Sequence, residues 1–325
     1  MEELMGADMF DDETDIVCET EPKRFKILLC IDGSEESTRG LKYAVKLGQG
    51  NDADVTLLYV RPVDKGMKSG VDLARQNMLD WGVELPGMRY LKEARDQLIE
   101  LGFMGGEWTE ETTRKRVYGD PLGDMMKTYT APNGSRIALK LMVAPTIASG
   151  ILDEEELNDY DLTIIAMSGE GGKNVEGKIN WAVTRTVVTE HRGTVLLARE
   201  IEENHGHLIC VNDEKSIEAA RKDAILASRC QCPVHLISVA ENEDTLDKAK
   251  LAIETAKQAI EAEDVEVVST TTTIGDPADE IIKHGKDFSV IVMADSSVKG
   301  FRRFFQSSVA YEVLQHATNS VMIVR

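Results

Sequence analysis

The strongest constraint on the fold is that the chain matches itself. The segment "FKILLCIDGSEESTRGLKYAVKLGQGNDADVTLLYV" from Phe25 aligns with "GHLICVNDEKSIEAARKDAILASRCQCPVHLISV" from Gly206. Likewise "DLTIIAMSGEGGKNVEGKINWAVTRTVVTEHRGTVLLAR" aligns with the terminal "DFSVIVMADSSVKGFRRFFQSSVAYEVLQHATNSVMIVR". Such self-similarity marks a tandem duplication, joined near 200–206. Within each copy, short Val, Ile and Leu runs alternate with helical patterns, the signature of a parallel sheet covered on both faces. The predicted fold class is therefore α/β, two tandem doubly wound parallel-sheet domains of Rossmann-like type over 23–200 and 206–325. The first carries an insertion around 62–150.

Helical stripes support this division. Leu246, Ala249, Ile253, Ala256 and Ile260 share one helical face, and Met88, Leu91, Ala94, Leu98 and Leu101 share another; both read as core faces. "GDPADEII" supplies an Asp276 N-cap with Pro277 at the first helical position. In the insertion, "KTYTAPNGSRIALKLMV" predicts a hairpin turning at Asn133-Gly134 through a type I′ pair. Two stretches compete for the fourth core strand of the first repeat: "RVYGDP", which resembles "TTIGDP", and "LKLMVAPT", which stands closer to the expected distance from Thr163.

Composition limits the function classes. A chain of 325 residues that is 42% hydrophobic can build two cores, and its apolar runs are far shorter than the roughly 20 residues a membrane-spanning helix needs. A net charge of −20 opposes nucleic-acid binding. Residues 1–22 hold nine acids and no base, which predicts a disordered acidic tail, with an arm for a protein partner as the sharper alternative. The N-terminus lacks the basic and apolar regions of a secretory signal, and five cysteines suit a reducing compartment, so a cytoplasmic chain is expected. Cys30 and Cys210 fall within apolar strands and read as core. Cys230 and Cys232 are too close for an ordinary unstrained bridge and show no convergent ligands in sequence, and His205 and His207 read as a solvated linker; no metal is predicted.

In an open α/β sheet, ligands bind beyond the carboxyl ends of the strands where strand order reverses. Two stretches of each repeat should meet there: "CIDGS" and "MSGEGGKNVEGKINWAV" in the first, "CVNDE" and "MADSSVKGFRRFFQSSV" in the second. Here the chain resembles the universal stress protein family in a tandem form, with an adenine-nucleotide alpha-hydrolase-like fold. Nucleotide-binding members resemble one another in an Asp after the first strand and a late loop G-x2-G-x9-G-[S/T]. The resemblance implies that the Asp side holds the adenosine end, while the loop and following helix N-terminus hold phosphates, as close-approaching amides and a helix dipole would.

Carried over, the first repeat keeps Asp32, Gly33 and Ser34. Its late loop offers Ser168, Gly169, Gly171 and Gly172, then Trp181 and Ala182 where Gly and Ser or Thr are expected, so the Trp ring is expected to crowd the phosphate space. The second repeat places Asn212 at the Asp position, then Ala294, Ser296, Ser297 and Lys299, with Ser307 and Ser308 closing the motif. The small residues leave room for a ligand but lack glycine's freedom at positive φ.

The resemblance implies a stress-response regulator binding ATP or another adenine nucleotide in one or both pockets, with its repeats forming an internal pseudo-dimer and possible homodimerisation through the last strand. The alternative is a ligand-free interaction scaffold with vestigial sites. No P-loop, H-E-x-x-H or G-x-S-x-G pattern argues for an enzyme, and the matched His191 and His316 read as polar or cationic residues near helix ends.

Overall fold

The computed structural model describes residues 24–34, 37, 39–48, 53–63, 84, 86–117, 120–166, 179–199, 205–295 and 308–325. The acidic tail at 1–22 lies outside them. The first repeat contains β1 (Phe25–Cys30), α1 (Arg39–Leu47), β2 (Ala53–Pro62), α2 (Pro86–Glu100), β3 (Thr109–Val117), β4 (Asp120–Thr130), β5 (Arg136–Ala144), α3 (Ile147–Leu157), β6 (Leu162–Ala166), α4 (Trp181–Glu190) and β7 (Val195–Ala198). The second contains β8 (His207–Cys210), α5 (Glu214–Arg229), β9 (Val234–Ala240), α6 (Leu246–Glu261), β10 (Val267–Ile274), α7 (Pro277–Gly285), β11 (Val290–Ala294), α8 (Val309–His316) and β12 (Ser320–Val324).

The twelve strands among the described residues join one sheet in the order β10-β9-β8-β11-β12-β7-β6-β1-β2-β5-β4-β3. Within each repeat the five core strands run parallel in the doubly wound order 3-2-1-4-5, reversing between β1 and β6 and again between β8 and β11. Alternate side chains serve opposite faces. Ile27 and Leu29 of β1 join the core under α1, α2, α5 and α6, while Leu28 and Cys30 join the core under α3, α4, α7 and α8. Each core runs through both repeats, and truncating a fully buried residue such as Leu29 to Ala should cost roughly 2–5 kcal/mol.

The halves meet through their last strands. β7 and β12 pair antiparallel, with Leu196 opposite Met322 at the centre of the register. Two equivalent arginines then cross the seam. Arg199 Nη2 donates to the Leu314 carbonyl at the end of α8 (2.6 Å), and Arg325 Nη2 donates to the Thr189 carbonyl at the end of α4 (3.1 Å). This exchange is the isologous pattern of a two-fold dimer, here within one chain. Beyond it the two sides diverge: Arg325 also pairs with the buried Asp295, whereas Arg199 donates to the Asn319 carbonyl (3.1 Å).

Several local expectations are met and others corrected. Asp276 caps α7, accepting from the Asp279 amide, with Pro277 at its start. Of the two competing stretches "LKLMVA" is the core strand: it lies in β5, parallel to β2, and is the third core strand of the repeat, not the fourth, whereas Val117 and Asp120 of the other stretch belong to the β3–β4 pair at the sheet edge. Within 62–150, α2 and β5 therefore take the places of α6 and β10, and the β3–β4 pair is the added structure among the described residues. The β4–β5 hairpin exists, but its turn is not type I′. Gly134 has φ +84° while Asn133 does not enter the left-handed region; Gly134 N–H donates to the Ala131 carbonyl and Ala131 N–H to the Ser135 carbonyl. Pro132 presets a type I turn, and Gly134 completes a three-residue loop. Leu101 lies past the end of α2 and is exposed, so the core stripe ends at Leu98.

Candidate functional site

The first reversal of strand order lies between β1 and β6, and Asp32 stands directly over it. Its side chain is 5% exposed, and one oxygen accepts from the Ser34 amide (2.9 Å) and the Ser34 hydroxyl. The other accepts from the Ile179 amide (2.8 Å), two residues before α4. One carboxylate thus ties the turn after β1 to the segment that delivers α4. The bonds are charge-assisted and shielded from water, the setting in which they are strongest. Gly33 is required between Asp32 and Ser34: it has φ +74°, and a Cβ there would sit 2.6 Å from the Tyr90 ring.

Beside Asp32 lies a recess of about 10 Å³, bounded by Cys30, Val60, Ile147, Ile151 and Ile179. That is room for one water. Thr146 caps α3 in a reciprocal capping box with Ser149, which aims Ile147 and Ile151 at the recess. Burial above all, helped by the nearby Glu155, pushes the Cys30 thiol well up, so it behaves as an apolar wall.

Trp181 opens α4. Its ring packs on Tyr311 of the second repeat, centroids 5.9 Å apart, and so belongs to the contact between the halves. Asn180 caps α4 by accepting from the Val183 amide (3.1 Å), which places Ala182 inside the first turn and exposed. Ser168, Gly169, Gly171 and Gly172 lie outside the described residues.

The matching place in the second repeat is built differently. Asn212 is exposed, and its oxygen accepts from the Ser216 hydroxyl (3.3 Å) at the opening of its own helix. Asp213, the next residue, caps α5. Ala294 ends β11, half-buried, and Ser308 caps α8 by accepting from the Tyr311 amide (3.2 Å). The hydroxyl aligned with the family's last Ser or Thr is therefore engaged by its own helix. Ser296, Ser297, Lys299 and Ser307 lie outside the described residues.

Two further side chains near the site are buried in ways that apolar periodicity does not report. Arg61, at the end of β2, donates from Nη2 to Asp120 (2.7 Å), while its buried Nε and Nη1 have no hydrogen-bond partner among the described residues. An Arg closing an apolar strand could have signalled it. His191, read as polar or cationic, is fully buried and caps α4, its Nδ1 2.6 Å from the Val188 carbonyl. Burial first, then Arg325, lowers its pKa to about 3, so the ring is neutral; His316 is exposed and lies one position before Ala317, the residue that matches His191.

No helix among the described residues is long and apolar enough to cross a membrane. A model of the Universal stress protein family matches residues 23–89 and 207–325, one match in each repeat. The universal stress protein YxiE of Bacillus subtilis (strain 168) is 31% identical over 110 residues, which cover 33% of this chain and 73% of that protein. A universal stress protein from Archaeoglobus fulgidus DSM 4304 superposes with a TM-score of 0.58 at 17% identity, over 92% of this chain and 96% of its own. A functionally unknown protein from Pseudomonas aeruginosa PAO1 gives 0.57 at 14% identity, over 92% of each chain. The structural likenesses carry the fold, and the sequence matches carry the lineage: this chain is a tandem member of the universal stress protein family.

Proposed function

We propose that the chain is a cytoplasmic, non-catalytic stress-response regulator whose first repeat binds an adenine nucleotide over the β1–β6 reversal. The second repeat serves mainly as its internal partner. The observation that carries this reading is Asp32, buried and bridging both sides of the reversal, against an exposed Asn212 tied to its own helix. Each carboxylate oxygen has more than one lone pair, so Asp32 can accept from a ribose hydroxyl while still holding the Ser34 and Ile179 amides. Phosphates would then lie toward the late loop and the first turn of α4, where unpaired amides and the helix dipole favour anions. A nucleotide regulates the protein only through different affinity for two arrangements of the chain. The seam, with its crossed arginines, is the element such a difference would act on.

Mass spectrometry of the denatured, freshly purified protein, followed by calorimetry with ATP, ADP and AMP, tests this. A co-purifying or titratable adenine nucleotide supports the reading, and absence of binding at millimolar nucleotide removes it. One observation favours a second reading, a ligand-free interaction scaffold: the recess beside Asp32 is only about 10 Å³. A partner captured through residues 1–22, from protein that binds no nucleotide, would favour the scaffold.

A further inference from the structure

Away from the nucleotide site, three soft ligands converge where the second repeat meets α1. The ligand atoms of His207, Cys230 and Cys232 all lie within 4.8 Å of one another. His207 is not in a solvated linker as its sequence context suggests: it opens β8 and is 3% exposed. The convergence has a local cause at each point. Cys230 caps α5, and the Gln231 and Cys232 amides return to the carbonyls of Ser228 and Ala227, a Schellman turn. Its left-handed position is Gln231, φ +53°, and the reversal there sets Cys232 beside Cys230. Two residues on, Val234 of β9 pairs with His207, whose amide donates to the Pro233 carbonyl (2.8 Å). Gly206 permits that approach, since a Cβ there would lie 2.4 Å from the Pro233 oxygen.

The imidazole is oriented as a metal-binding histidine is. Fully buried Asp223 lies on α5 seven residues before Cys230, and its carboxylate takes Nδ1 of His207 at 2.9 Å. The Cys232 sulfur lies within 4.8 Å of the ring's ligand nitrogen. Metal-ligating histidines commonly carry such a carboxylate on the far nitrogen, which fixes the ring and raises its basicity. In a tetrahedral zinc centre, sulfur and nitrogen ligands stand roughly 3.5–3.8 Å apart, so closing the triad needs movement on the order of 1 Å. A cavity of about 90 Å³ opens beside the three residues, walled by Tyr43, Lys46 and Leu47 of the first repeat and by Met322. Two thiolates and one imidazole with a fourth position open to a cavity match an exchangeable zinc-class site, and thiolates disfavour magnesium and calcium.

We propose that His207, Cys230 and Cys232 bind one thiolate-preferring divalent ion of the zinc class, oriented by Asp223 and open at its fourth position to the cavity between the repeats. The full-length chain, reduced and stripped by chelator, is titrated with Co²⁺ and then with Zn²⁺. The expected result is one Co²⁺ per chain with sulfur-to-cobalt charge-transfer absorption and tetrahedral visible bands, displaced by one equivalent of Zn²⁺. Cys232→Ser, in a half-exposed turn, should reduce the charge-transfer intensity and weaken binding at least about tenfold. Asp223→Asn should weaken it by roughly 10–100-fold while keeping the sulfur signature of bound ion, because Asp223 orients and does not ligate. Absence of the charge-transfer band in reduced protein shown to be folded by circular dichroism would overturn the proposal. So would an undiminished band in the Cys230→Ser, Cys232→Ser double variant, which would place the ion elsewhere.

Discussion

The two halves share one topology and differ at the points where function would act. After β1 the chain turns through a buried Asp32 that spans the strand-order reversal; after β8 it turns through an exposed Asn212 that serves only the start of α5. The seam shows the opposite behaviour. There Arg199 and Arg325 keep reciprocal contacts to carbonyls near the end of the other half's last helix, so the pairing of the halves is preserved while their pockets have diverged. A duplicated domain can hold one site and one support, provided that the contact surface stays self-complementary.

Substitutions can break or sharpen this contrast. The largest difference is expected between Asp32→Ala and Asn212→Ala. The first removes charge-assisted acceptors from the Ser34 and Ile179 amides and should destabilise by roughly 3–5 kcal/mol in urea denaturation. The second should stay within about 0.5 kcal/mol, as an exposed polar change does. Equal losses would erase the asymmetry.

The helix-end histidines come next. His191 has its pKa lowered to about 3 in the fold, from an ordinary value of 6.5, so unfolding takes up a proton between those values. Its contribution is fully present above pH 6.5 and falls as pH drops toward 3, by roughly 3 kcal/mol between pH 7 and 4. His191→Gln should flatten that part of the stability profile, while exposed His316→Gln should leave it unchanged.

At the seam, Arg199→Ala should cost about 1–3 kcal/mol, because buried carbonyls of Leu314 and Asn319 lose a charged donor. Thermal melts would then separate seam loss from pocket loss: this variant should lower stability without removing Asp32's contacts. Gln231 comes last. Gly there should stabilise by about 0.5–1 kcal/mol, because the position is left-handed and glycine occupies that region without strain.

What was legible in the sequence was local or repeated. The strands, the stripe from Met88 to Leu98 and the Asp276 cap were readable because apolar period and capping chemistry act over a few residues. The turn at Asn133-Gly134 was misread because Pro132 outweighed the Asn-Gly signal. The packing of Trp181 on Tyr311 was not legible, because alignment to a loop motif says nothing of a ring that arrives from the other repeat. The burial of His191 and the meeting of His207 with Cys230 and Cys232 depend on packing and strand pairing between residues distant in sequence, which no periodicity reports.

The central claim is that one half binds an adenine nucleotide and the other supports it. Calorimetric titration of the full chain with ATP tests this most directly. One site per chain is expected, weakened at least about tenfold by Asp32→Asn, whose near-isosteric side chain keeps the turn, and unaltered by Asn212→Ala. Two equivalent sites, or an Asp32→Asn variant that binds as the parent does, would contradict it.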